Sequence, residues 1–205
     1  MISLMVVFII FVIFFAVMGG LRGWAKELLV IFSVVLSLFM IFALEKFANP
    51  YVIPFPDVPP YLEDAVSDQA MPAPFLQLPE QSQSIFESQF WLRFILVIIL
   101  TFFGYQTPGL ARLAGAARRE KIQDFLLGLV FGGVNGYLII GTIWAYMHAA
   151  HYPFEPYIIA PTIQDPLYET VQGLIKVLPP LWLGQSPWIY GAVGISFLFV
   201  LVVFI

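Results

Sequence analysis

The chain has 205 residues, 60% of them hydrophobic and 11% charged, with a formal net charge of −4. Soluble domains carry roughly 25% charge, so a water-soluble core is excluded as the organising principle. The few basic residues lie beside apolar runs, which excludes a nucleic-acid surface. The absence of cysteine excludes disulfides, thiolate metal sites and cysteine nucleophiles.

The first apolar span is about Ile2 to Met18. No positive segment precedes it and no small-x-small site closes it, so it reads as a retained helix, not a cleaved signal. Gly19 and Gly20 break it, Leu21-Arg22-Gly23 forms a short turn, and a second span follows from Trp24 to Leu44. So short a turn makes the pair an antiparallel hairpin, with Trp24 at an interfacial position beside Arg22 and Lys26.

Residues 45–90 leave the membrane. Eight prolines fall between Pro50 and Pro79, and proline removes donors and fixes φ, so a partly extended, polyproline-like excursion is predicted. A third span runs from Phe90 to Gln106, ended by Pro108 and Gly109, and a basic connection leads to the fourth, Gln123 to Tyr146.

Residues 148–187 form a second proline-rich excursion. Within it, Asp165-Pro166 signals a helix start. Leu167, Val171, Leu174 and Leu178 then share one face, with Glu169, Gln172 and Lys176 opposite. This amphipathic helix, 165–178, is stopped by Pro179-Pro180 and is expected to lie flat in the interface or to pack on a loop. The last span is Trp188 to Ile205. The fold class expected is therefore all-α: a polytopic transmembrane helix bundle of about five spans with two long proline-rich extracytoplasmic loops. It divides into a four-helix membrane domain at 1–147, an outer loop at 148–187 and a fifth helix at 188–205.

Arg22 and Lys26 mark the first turn, and Arg112, Arg118, Arg119 and Lys121 mark the third-to-fourth connection, whereas the long excursions hold only Lys46 and Lys176. The positive-inside rule then places both short connections in the cytoplasm, the excursions outside, the N-terminus out and the C-terminus in.

Gly128, Gly132 and Gly136 recur every fourth residue and line one face of the fourth span. A face without side chains lets another helix approach closely. Asn135 is the most polar mid-span residue and needs a partner on another helix. Glu27 and Asp124 each fall near a helix start, where the helix dipole favours an acid. Arg118, Arg119 and Lys121 suit anionic lipid head groups or serve only as topology signals. His148 and His151 share a face if the fourth helix continues past them. They then allow a metal or chlorin magnesium ligand, or haem, and ordinary interfacial histidines are the simpler reading. No Ser/His/Asp set, Walker motif or HExxH occurs. Charged residues in mid-span, the usual mark of a transport path, are read as essentially missing.

The stretch Arg22-Gly23-Trp24-Ala25-Lys26-Glu27 resembles the Arg-Gly-aromatic-x-x-Glu signature after the first helix of the CvpA (colicin V production) membrane proteins. Asp124-Phe125-Leu126-Leu127-Gly128, continuing to Phe131-Gly132 and Gly136, resembles that family's pattern at the start of its fourth helix. The order of spans agrees over roughly 1–147. Where the family often has an acid near its start, this chain has Ile2-Ser3-Leu4. Where it often has arginine, Phe125 and Asn135 stand. The resemblance implies a bacterial inner-membrane protein linked to colicin V production or export and to envelope integrity.

These readings lead to a non-enzymatic accessory or scaffold subunit of a larger membrane assembly, in contact with the bilayer and with other subunits and needing no cofactor. Two alternatives stay open. One is a small transporter or export factor using Asn135, Thr142, Ser33 and Ser37. The other is a pigment- or haem-associated subunit using His148 or His151.

Overall fold

The computed structural model describes residues 4–48, 74–106, 121–162 and 165–204. The prolines between 50 and 72, and the basic residues Arg112, Arg118 and Arg119, lie outside the described residues.

Two helices, α1 (Leu4–Arg22) and α2 (Trp24–Ala43), are joined by Gly23 alone. Gly23 has φ 89°, a conformation that L side chains rarely adopt, and its N–H donates to the Gly19 carbonyl at 2.9 Å. One residue thus reverses the chain. A wider turn, Leu44–Ala48, prolongs α2.

A short 3₁₀ turn, Phe75–Gln77, leads into α3 (Glu80–Tyr105). This helix starts ten residues before the predicted Phe90. Pro79 stands at its N-cap, and the Gln83 side chain donates to the Leu78 carbonyl at 2.8 Å. The first turns are polar but hold good helix formers and no breaker, so the helix runs on where hydropathy had ended it.

Helix α4 (Lys121–Ala149) has 29 residues, about 44 Å at the usual rise, and so exceeds the roughly 30 Å of hydrocarbon. Past it, His151 and Tyr152 both take positive φ, 58° and 57°. Helices α5 (Tyr168–Lys176), α6 (Pro179–Trp182) and α7 (Trp188–Phe204) complete the chain. Pro179 and Pro180 begin α6 as well as closing off α5, because proline suits a first helical turn.

Among the described residues, four helices are long and apolar enough to cross a membrane: α1, α2 with its extension, α3 and α4. The predicted fifth span is shorter. Helix α7 is a mostly apolar helix of 17 residues, about 26 Å, and packs beside α2 through Phe32–Phe197 and Phe42–Tyr190 ring contacts. The described residues thus hold helices and no strand, and the chain is a multi-pass helical membrane protein.

Helix α1 runs antiparallel to α4: Gly19 meets Gly128 at one end, and the Phe8 and Trp144 rings lie 5.6 Å apart at the other. Helix α2 runs antiparallel to α3, with Ser33 against Gly104 and Glu45 against Arg93. The main core gathers Leu38, Phe90, Val97, Trp144, Tyr152 and Leu178, and a second layer holds Val30, Val34, Leu138 and Ile139.

The amphipathic segment also differs in detail. Asp165 does not cap a helix; its carboxylate accepts from the Thr162 N–H at 2.6 Å, and the helix begins three residues later. Val171, Ile175 and Leu178 are buried in the main core, while Leu167 is exposed. The apolar face is spent on the chain's own helices instead of on lipid.

Candidate functional site

The tip of the α1–α2 hairpin carries a buried polar cluster. Because Gly23 reverses the chain in one residue, Arg22 at the end of α1 reaches Glu27 in the first turn of α2, with Nη1 to Oε1 at 2.6 Å. Glu27 is 1% exposed. Its other oxygen, Oε2, accepts from Asn135 Nδ2 at 2.8 Å, and the same amide donates to the Glu27 carbonyl at 3.0 Å. Arg22 also donates from Nη2 to the Tyr105 carbonyl at 3.2 Å, and its guanidinium lies 4.3 Å from the Tyr105 ring centroid. Four helices meet in this cluster. A carboxylate out of water is tolerable only when paired and hydrogen-bonded, and here both of its oxygens are used.

Asp124 opens α4, but it caps a different helix. Its Oδ1 accepts from the Trp24 N–H at 3.2 Å, the first backbone donor of α2, and Gly23 lies against the carboxylate. A Cβ on Gly23 would sit 2.9 Å from Asp124 Oδ2. Glycine is therefore required there twice, for its φ and for the approach of the acid. Lys121 is the first residue of α4.

Gly128, Gly132 and Gly136 of α4 face α1. A Cβ on Gly128 would collide with the Gly19 carbonyl, and one on Gly132 with the Phe15 carbonyl and with Gly19 Cα at 2.8 Å. One on Gly136 would lie 2.9 Å from Val12 Cα. Backbone meets backbone along this seam, which holds Asn135 level with Glu27.

A second charged pair lies at the opposite end of the bundle, near the end of α2 and the start of the apolar run of α3, away from mid-span. Arg93, 3% exposed, sits in α3 and binds Glu45 Oε1 through Nε and Nη2, both at 2.9 Å. Its guanidinium carbon lies 5.4 Å from the Tyr146 ring centroid. The sequence signal was present, an arginine inside an apolar span, but its partner lies 48 residues away.

The histidines do not share a helical face. Helix α4 ends at Ala149, so His148 occupies its last turn and His151 lies beyond it with positive φ. His148 Nδ1 lies 3.1 Å from the Tyr152 hydroxyl, which also accepts from Trp144 Nε1 at 3.3 Å. The His151 ring lies against Phe86, 4.8 Å between centroids. The spacing argument for a shared metal, chlorin or haem ligand fails with the end of the helix. Among the described residues, no group of three or more His, Asp or Glu could hold a metal ion.

Chemically, the site is a set of interhelical clamps. Two fully buried charges, Glu27 and Arg93, are each neutralised by a partner on another helix or across the hairpin tip. Between the clamps lies the Val30, Val34, Leu138 and Ile139 layer.

A family model described as Colicin V production protein matches residues 4–162. No curated protein and no solved structure matches the chain.

Proposed function

The chain belongs to the Colicin V production protein family, and from that premise we propose that it is a non-enzymatic accessory or scaffold subunit of a larger assembly in the bacterial inner membrane. In this reading the hairpin tip faces the cytoplasm, the N-terminus lies outside and the C-terminus inside, following the basic residues of the short connections. The observation that carries it is the use of the buried charges. Glu27 and Arg93 are spent on holding helices together. Large apolar side chains such as Trp188, Ile195, Leu198 and Val202 on α7 are left facing outward.

An export role of the colicin V production type is the second reading, favoured by the family description. It requires a polar route, and the apolar layer of Val30, Val34, Leu138 and Ile139 stands across the middle of the bundle. The test is purification in mild detergent with mass determination. The scaffold reading expects a stoichiometric second subunit that is lost when Ile195 and Leu198 are changed to serine. A chain that stays alone at 23.1 kDa and conducts solute in liposomes overturns it in favour of export.

A further inference from the structure

Helix α1 leans on the glycine seam of α4, and α3 leans on α2, so a cleft remains between α1 and α3. The segment after α4 roofs it. The resulting cavity has a volume of about 270 Å³ and is lined by Phe8 and Phe11 of α1, Trp91 of α3, Ile143 and Trp144 of α4, and Phe154 of the roof, among others. Every lining residue is aliphatic, aromatic or methionine.

Three observations decide what fills it. First, a bound water needs two to four polar partners, and the lining side chains carry only two hydrogen-bond donors, the indole N–H groups of Trp91 and Trp144, of which that of Trp144 is already turned to the Tyr152 hydroxyl. Second, the mouth is continuous with the lipid-facing surface. Phe11 and Trp91 line the cavity yet are 43% and 41% exposed, and exposed Ile10, Phe14, Ile95 and Ile98 flank them on the same two helices. Third, the volume is well above the roughly 150 Å³ that admits benzene. A void of this size forfeits the dispersion contacts of its whole lining, and the nearest material able to restore them is hydrocarbon.

We propose that this cavity is a binding site for one acyl chain of a phospholipid, drawn from the leaflet nearest the α4–α5 connection. The chain gains little from the hydrophobic effect, since it leaves one hydrocarbon phase for another. It gains from fixed contact with aromatic rings that bulk lipid cannot offer.

Trp144 reports occupancy, because it lines the cavity yet is only 3% exposed, so a chain in the bulk bilayer does not touch it. The experiment uses the full chain in phosphatidylcholine vesicles whose acyl chains carry bromine at mid-chain. One variant keeps Trp144 alone, with Trp24, Trp91, Trp182 and Trp188 changed to phenylalanine; a second keeps Trp91 alone. The expected result is quenching of Trp144 to at least half the extent seen for Trp91, and at least a threefold loss of the Trp144 quenching when Val7→Phe fills the cavity. An unquenched Trp144 overturns the proposal, whether the space is dry or occupied by another part of the chain. Quenching that survives Val7→Phe unchanged also overturns it. Should those variants fail to fold, a phosphatidylcholine bearing a mid-chain diazirine is photolysed with the unmodified protein. Adducts at Ile143 or Met147 are expected, and adducts confined to outward positions such as Phe14 and Ile98 sink the idea.

Discussion

The tightest test of the packing argument compares two adjacent glycines. A Cβ on Gly132 would lie 2.8 Å from Gly19 Cα and 3.1 Å from the Ala16 carbonyl oxygen, and would overlap the Phe15 carbonyl. Carbon atoms rest at about 3.5–4.0 Å, so α1 and α4 must part by nearly 1 Å, and the obstructing atoms are mostly backbone, with no side chain free to swing away. Overpacking of this kind costs about 1–3 kcal/mol. A Cβ on Gly133 would meet the Ala16 side chain at 3.6 Å, an ordinary contact. Alanine gains about 1 kcal/mol over glycine in a helix interior at both positions, so that term cancels in the comparison. Gly133→Ala is expected to be neutral or stabilising, and Gly132→Ala to be less stable than Gly133→Ala by about 1–3 kcal/mol. The assay is SDS titration of the protein in mixed micelles, followed by tryptophan emission and far-ultraviolet dichroism. Equal midpoints for the two variants would refute the reasoning, because they would mean that the seam yields without cost.

Three further outcomes follow from the clamps and the roof. Arg22→Met strands a carboxylate that is 1% exposed and is expected to cost about 3–5 kcal/mol, whereas Glu27→Gln frees an arginine side chain already 20% exposed and costs less; in the same titration the double variant should recover much of the Arg22→Met loss. Tyr152→Phe leaves the buried Trp144 N–H without its acceptor and should cost about 1–3 kcal/mol. Burial also raises the Tyr152 phenol above its ordinary pKa. The unfolded chain therefore loses that proton first, and this group's contribution to stability is constant below about pH 10 and falls above it; denaturation midpoints at alkaline pH should fall less steeply in Tyr152→Phe. Leu178→Ala, at a fully buried position in the main core, should cost about 2–5 kcal/mol and expose Tyr168–Lys176 to limited proteolysis well before the spans.

The membrane class was legible because an apolar run of span length has few other uses, and the spacing of Gly128, Gly132 and Gly136 pointed to one face of α4. What that face touches was not legible, since the partner surface is the backbone of Phe15, Ala16 and Gly19, which carries no composition signal of its own. Glu27, Asn135 and Asp124 could be singled out as polar residues near helix ends or mid-span. That Asp124 caps α2, and that Asn135 and Arg22 share Glu27, depends on contacts 100 or more residues apart, or across a one-residue turn. The start of α3 at Glu80 was missed because glutamine and serine give no hydropathic period. The face of α5 was found, but an amphipathic pattern reads the same whether it meets lipid or protein. The histidine spacing carried meaning only if the helix ran on to His151, and α4 stops at Ala149.

The two buried ion pairs differ in how far apart their members lie along the chain, and this fixes when each can form during synthesis. Arg22 and Glu27 are five residues apart and leave the ribosome almost together, so the first hairpin can enter the bilayer with its charge already neutralised. Glu45 precedes its arginine by 48 residues, so its carboxylate waits at the bilayer edge until the third helix is made. The Arg22–Glu27 pair thus closes within the first hairpin itself, and the third helix arrives as the counterion for Glu45 at the far end.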